Sequence, residues 1–355
     1  MRMLHETIAA INPQSDVWRT RARERLDQLT MPHWALGRIL DLAVELAGMT
    51  HSLQPATRRK VIVVMAADHG VVAEGVSKYP QEVTRQMVAN FVNRGAGIDA
   101  LAGQAGADVR VVDMGVAGDL GEFADANAIL SLPLAPGTAN IAAGPAMTFD
   151  QAVTAVENGI RVARRLIEDE GYDLIGVGEM GIGNTTPSSA IIAALCGESA
   201  ARTTGHGTGI DEEQRRHKIA VVEKALRVNR PNPKDGLDVL TKLGGFEIGG
   251  IAGAILGAAA RRRPVLVDGL ISSAGALIAQ RLAPDIVDYL IAAHRGVERG
   301  HMIALERLGK EPLLDLRLRL GEGSGAALAM NLVEAAARVL REVRTFAEAA
   351  VSSHD

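Results

Sequence analysis

Five short apolar runs, each followed by a polar or glycine-bearing turn, most restrict the fold of this 355-residue chain. Residues 61–67 run into Asp68-His69-Gly70, 109–112 into Asp113-Met114-Gly115, and 174–177 into Gly178-Glu179-Met180-Gly181. Residues 264–267 run into Asp268-Gly269, and 286–291 toward His294. Runs this short, with little polar alternation, fit strands buried on both faces. The stretches 82–93, 151–169, 212–226 and 248–262 between them read as helices. The alternation predicts an α/β fold, a mostly parallel sheet with helices on both faces. Ligands bind such sheets at the carboxyl ends of the strands. Asp68, Asp113, Glu179, Asp268, His294 and Glu322 all fall there. Each acidic residue alone reads better as a cap than as a catalyst, but six such positions together point to one site.

Glu322 stands among Gly321, Gly323 and Gly325. Before it, residues 314–320 alternate leucine with Asp315, Arg317 and Arg319, the period of a strand. After it, residues 326–343 lack Gly and Pro and read as a helix. The turn therefore joins a strand to a helix, with Ser324 as the expected N-cap. A carboxylate with no side-chain bulk around it suits a base reaching into a pocket, although glycine-flanked glutamates also occur in ordinary loops. The fit of Gly321–Ala326 to G-x-G-x-x-A is weak, since no βαβ unit follows.

Residues 178–189 form a second glycine-rich stretch, with Thr186 expected as N-cap and Pro187 as the first helical residue. Amides freed by Gly181 and Gly183 at a helix start suit a phosphate. No Gly-Lys-Ser/Thr is present, which excludes a Walker A loop. Thr204-Gly205-His206-Gly207-Thr208-Gly209 is a third such turn, with Lys218 downstream. On spacing alone Lys218 fits the exposed polar face of a helix better than a phosphate site.

Composition removes several classes of function. Aromatics are 3% of the chain, too few for base-stacking platforms, and the net charge of −4 argues against a nucleic-acid backbone binder. The single cysteine, Cys196, allows no internal disulfide, and its apolar neighbours favour a buried thiol. No His-x-x-x-His pair occurs, and Asp68-His69 is only a loose metal candidate. The first residues lack the apolar run of a signal peptide, and later apolar segments are broken by Gly, Pro or charge. A cytoplasmic protein without a membrane span is expected. Residues 1–50 read as helical, with Ser15 as a cap and a break at Met31-Pro32-His33-Trp34, and so does the tail from 333 to 350.

Several motifs occur together and in order. They are Asp68-His69-Gly70, Tyr79-Pro80-Gln81-Glu82, Gly137-Thr138-Ala139-Asn140, Gly178-Glu179-Met180-Gly181-Ile182-Gly183-Asn184-Thr185-Thr186-Pro187, Gly244-Gly245-Phe246-Glu247, Val267-Asp268-Gly269 and Leu320-Gly321-Glu322-Gly323-Ser324-Gly325. With them the chain resembles, over nearly its whole length, the nicotinate-nucleotide–dimethylbenzimidazole phosphoribosyltransferases of cobalamin biosynthesis. The resemblance implies transfer of phosphoribose from nicotinate mononucleotide to 5,6-dimethylbenzimidazole, without cofactor or metal. It implies a Rossmann-like domain over 51–332, a small helical domain from 1–50 and 333–355, and a homodimer.

The resemblance makes Glu322 the catalytic base. It places Glu179, Gly181, Gly183, Asn184, Thr185, Gly207, Lys218 and Asp268 at the substrates, with Tyr79 and Met87 near the acceptor base. The chain departs from the family pattern at Met31-Pro32-His33-Trp34-Ala35-Leu36, at His206 and at Gly296. Another benzimidazole, a purine or a phenol is therefore also compatible as acceptor. Two rival readings are a nucleotide hydrolase and a non-catalytic nucleotide-binding protein on the same scaffold.

Overall fold

The computed structural model describes residues 1–207 and 209–352. Strands β1 (Lys60–Ala67), β2 (Ala107–Gly115), β3 (Leu130–Ser131), β4 (Leu174–Met180), β5 (Val265–Val267) and β6 (Leu290–Ala292) form one parallel sheet. Their order is β3-β2-β1-β4-β5-β6. The chain winds outward from β1 to β3, then crosses back to β4 and winds the other way. Loops leaving β1 and β4 therefore diverge and leave a crevice at the carboxyl edge. β1 is buried along its whole length, as its unbroken Val/Ile/Met/Ala run requires. Its one charged residue, Lys60, sits at the first position and is neutralised by Glu334.

Glycine sets the tightest helix contact. The helix Phe246–Ala259 is buried at every position and crosses the helix Phe149–Arg164. A Cβ at Gly253 would overlap the carbonyl oxygen of Val156, and one at Gly159 would overlap that of Gly250. The two backbones thus touch at positions where glycine removes the intervening Cβ. At the other end of the molecule, Arg38–Thr50 packs against the long helix Ser324–Glu342 and against Asp16–Leu26. Leu29 bridges to Thr345. Ser15 caps Asp16–Leu26 by accepting from the Trp18 amide at 3.5 Å. The helix Ser324–Glu342 is continuous through residue 333 and also contacts β4 and β5. Among the described residues no helix is long and apolar enough to cross a membrane.

Five local expectations are corrected. Residues 314–320 are not a strand: only Leu314 makes an isolated bridge, to His294, while Leu316 and Leu320 are exposed. Their alternation marks an extended segment with no neighbouring strand to pair with. The run 286–291 is mostly the 3₁₀ turn Pro284–Tyr289, and the strand starts only at Leu290. The cap of Ser324–Glu342 is Gly323, at φ 84°, and Ser324 is its first helical residue with an unpartnered hydroxyl. The cap of Thr185–Cys196 is Asn184, not Thr186, and Pro187 is its third residue. Cys196, expected to be buried, is only partly so.

Gly253→Ala should destabilise the protein by about 3 kcal/mol or more, because backbone rather than a flexible side chain must move. Urea unfolding of the full chain measures this, and an unchanged midpoint would contradict the packing described.

Candidate active site

A cavity suited to a ligand lies at the carboxyl edge of β4 and β5, with about 930 Å³ of space including its open mouth. One end is built by the loop before Ser324–Glu342. Gly321, Glu322 and Gly323 have φ of 84°, 62° and 84°. Glycine tolerates such angles, but Glu322 does not, and holding it there costs about 1–3 kcal/mol. Asp268, just after β5, supplies the compensation. Its carboxylate accepts from the amides of Gly323 at 3.2 Å, Gly325 at 2.7 Å and Ala326 at 3.0 Å. The loop then lies across β4 at Gly178, where any Cβ would strike the Glu322 backbone.

So held, the Glu322 side chain reaches a helix other than its own. Oε2 accepts from the Ile98 amide at 3.1 Å, in the first turn of Gly97–Ala105. A carboxylate at the start of Ser324–Glu342 would be weakened as a base by that helix's dipole. The structure reverses the net effect. Burial raises the Glu322 pKa, Ile98 opposes this, and Asp99 and Asp268 add to it.

Glu179, at the end of β4, lines the cavity beside this loop. A Cβ at Gly321 would overlap its Oε1, and the Asn184 amide donates to Oε2. Burial pushes the Glu179 carboxyl up to about 8; Asn184 opposes, and Glu247, Asp268 and Glu322 add to the rise. Two neighbouring carboxyls are thereby separated into a proton-holding Glu179 and a more readily ionised Glu322.

The other end of the cavity is cationic and rich in free amides. Gly181, Gly183, Asn184 and Thr185 line it, followed by Gly207 and Lys218. Lys218 is 2% exposed, so it does not sit on an open helix face. Its Nζ donates to Thr185 Oγ1 at 2.5 Å. Burial pushes it down to about 8, with Glu298 opposing. Thr208 lies outside the described residues.

The remaining expected residues divide clearly. His294 lines the cavity, 3.6 Å from Asp268. Asp268 itself lies behind the wall; burial raises its pKa, while His294 and the three amides pull the other way. Asp68 follows β1 and Asp113 lies inside β2, and neither lines the cavity. Asp68 accepts from the Thr84 hydroxyl and the Ala117 amide, and Asp113 from the amides of Gly115 and Val116. Tyr79 is 46% exposed and Met87 packs on the core, and neither lines the cavity. Glu247, Glu298 and His301 take no role from the sequence, and His69 enters it only as a loose metal candidate. His69 Nε2 and Glu247 Oε1 pair at 2.8 Å, with His69 close behind Gly181, and Glu298 and His301 line the cavity.

An acid-base pair at one end and a cationic amide cradle at the other define a class: an α/β enzyme handling a phosphorylated small molecule. A sequence profile described as phosphoribosyltransferase matches residues 11–351. A nicotinate-nucleotide–dimethylbenzimidazole phosphoribosyltransferase of Syntrophotalea carbinolica is 62% identical over 352 residues, 99% of each chain. One of Desulfotalea psychrophila is 53% identical over 354 residues, 99% of each chain. The crystal structure of CobT from Thermus thermophilus superposes with a TM-score of 0.91 at 47% identity, covering 95% of this chain and 100% of that one. The chain belongs to the nicotinate-nucleotide–dimethylbenzimidazole phosphoribosyltransferase family.

The raised Glu179 pKa fixes the sign of a stability effect. Between the ordinary carboxylate range and about 8 the folded chain holds a proton that the unfolded chain has released, so stability falls as pH rises. Glu179→Gln should abolish that loss, raising Tm at pH 8 by roughly 2–5 °C and leaving it nearly unchanged at pH 4.5. Calorimetry at the two pH values measures it; an equal shift at both would place Glu179 ionised throughout.

Proposed function

We propose that this chain transfers phosphoribose from nicotinate mononucleotide to 5,6-dimethylbenzimidazole, yielding α-ribazole 5′-phosphate and nicotinate in nucleotide-loop assembly of cobalamin. The observation that carries the reading is Glu322, a buried carboxylate clamped at one end of a cavity whose other end offers Lys218 and a glycine-rich helix start.

The reaction follows from these groups. The 5′-phosphate sits against the amides near Gly181 and Gly183, Thr185 and Lys218. The acidic end favours the positively charged pyridinium ring. The N–C1′ bond breaks with its electron pair going to the pyridinium nitrogen, so nicotinate leaves without acid assistance. One benzimidazole nitrogen gives its lone pair to C1′ from the opposite face, which inverts β to α. The proton on the other ring nitrogen becomes acidic as charge develops and passes to Glu322. Glu179, holding its own proton, leaves Glu322 as the member of the pair free to accept. Holding both reactants in one cavity supplies much of the rate. In this reading the enzyme is a cytoplasmic homodimer. Residues 1–50 and 333–355 form its small helical domain, supported by the packing of Arg38–Thr50 on Ser324–Glu342 and the Leu29–Thr345 bridge.

Incubation with nicotinate mononucleotide and a panel of benzimidazoles, purines and phenols tests the reading, with products identified by mass. Nicotinate release that depends on an acceptor is expected; release without one would make the chain a hydrolase, and no release a binding protein. Glu322→Gln should retain nucleotide binding and lower kcat on the order of 10²–10⁴-fold. Because burial raises the Glu322 pKa, the acid limb of kcat should fall above the usual carboxylate range. Lys218→Met should raise KM for the nucleotide by roughly 10–100-fold, the worth of a charged hydrogen bond. It should also remove a rise in KM above about pH 8, where the wild-type lysine discharges. An unchanged KM would place the phosphate elsewhere.

A further inference from the structure

His301 lines the cavity from a wall on which no role has been placed. It is 0% exposed and lies in the first turn of the helix Arg299–Leu308. Its Nδ1 accepts from the Gly296 amide at 3.0 Å. An amide N–H can only donate, so the ring proton must reside on Nε2. That Nε2 is buried and has no partner among the described residues. A buried donor left unpaired is unfavourable, and one lining an open cavity awaits a ligand. Burial, with His294 beside it, pushes His301 down to about 3, so the ring stays neutral and the Nε2–H stays in place.

A chain of contacts locates this donor between the two ends of the cavity. The Glu322 loop is held by Asp268, and Asp268 faces His294 at 3.6 Å. His294 and His301 meet edge to face with ring centroids 5.4 Å apart. Glu298, three residues before His301, reaches Gly205 and acts on the charge of Lys218. Among the described residues one carboxylate oxygen of Glu298 is also buried and unpartnered. The wall between base end and phosphate end thus offers one neutral donor and one acceptor. A sugar hydroxyl, donor and acceptor at once, satisfies both.

We propose that His301 and Glu298 bind the ribose hydroxyls of the nucleotide, and that His301 distinguishes ribose from deoxyribose. The proposal rests on the transfer reading above for what occupies the two ends. Its test uses the full chain with nicotinate mononucleotide and its 2′-deoxy and 3′-deoxy analogues, reading kcat/KM and, by calorimetry, Kd. His301→Asn keeps an acceptor for Gly296 and removes the distal donor, while His301→Gln keeps a distal donor. His301→Asn should weaken the ribonucleotide about tenfold and leave one deoxy analogue unaffected, collapsing that discrimination. His301→Gln should restore most of it. Equal losses on all three nucleotides would make His301 structural and overturn the proposal. Because Kd is read independently of turnover, a chain that bound but did not transfer would still decide the point, with only the transfer reading lost. A wild-type chain that bound none of the three would overturn both.

Discussion

The Asp268 carboxylate holds the active end of this molecule together. Three amides from one loop converge on it: Gly323, Gly325 and Ala326. Hydrogen bonds to a charged acceptor contribute about 1.5–3 kcal/mol each, against about 1–3 kcal/mol for a non-glycine residue held at positive φ. The clamp therefore outweighs the strain at Glu322. It also places negative charge at the start of Ser324–Glu342, where the helix dipole favours it. That helix runs from the site to Arg38–Thr50. One interaction thus sets a side-chain direction, starts a long helix and ties the site to the terminal segments.

The clamp also creates an electrostatic difficulty that the site uses. Glu179, Glu247, Asp268 and Glu322 crowd one end of the sheet with little water. Carboxylates this close cannot all ionise, and burial together with its acidic neighbours pushes Glu179 up to about 8, so it keeps its proton at neutral pH. The opposite end carries the buried Lys218 and the amides of a helix start. A nucleotide with an anionic phosphate and a cationic ring meets complementary fields at the two ends. The cavity orients such a ligand before any base-specific contact forms.

Much of this was legible in the sequence because each feature is local. The runs before Asp68, Asp113, Glu179 and Asp268 predict their strands, and the glycines around Glu322 predict a turn. What failed depended on residues distant in the chain. Ser324 is a good cap by type, but the cap position falls to Gly323 and the amides there are satisfied by Asp268 from another loop, which no spacing reveals. Residues 314–320 have the period of a strand, but strands need a neighbour and this segment has only a bridge at Leu314. Lys218 looks like a solvated helix lysine until folding buries it against Thr185. His301 and Glu298 carry no motif; they become a pair only because the helix Arg299–Leu308 begins at the cavity wall.

The same geometry bears on which acceptor the site would choose. Glu322 asks of an acceptor only an acidic N–H or O–H, a requirement that benzimidazoles, purines and phenols all meet. Selection among them therefore cannot rest on the base that accepts the proton. It falls to the apolar surfaces around it, and the cavity wall includes Leu318 and Leu320 from the irregular segment before the turn. Leu320 remains 56% exposed, so its apolar surface is available to a flat ring. A hydrophobic wall discriminates weakly, about 1–3 kcal/mol for a methylene-sized difference. It rejects more strongly a ring whose polar edge would be buried without a partner. Methylated benzimidazoles cover such a wall with carbon, whereas the exocyclic amine of a purine would require a partner there. The segment that misleads a period-two reading is thus the one whose leucines, left unpaired by any strand, are free to select the acceptor.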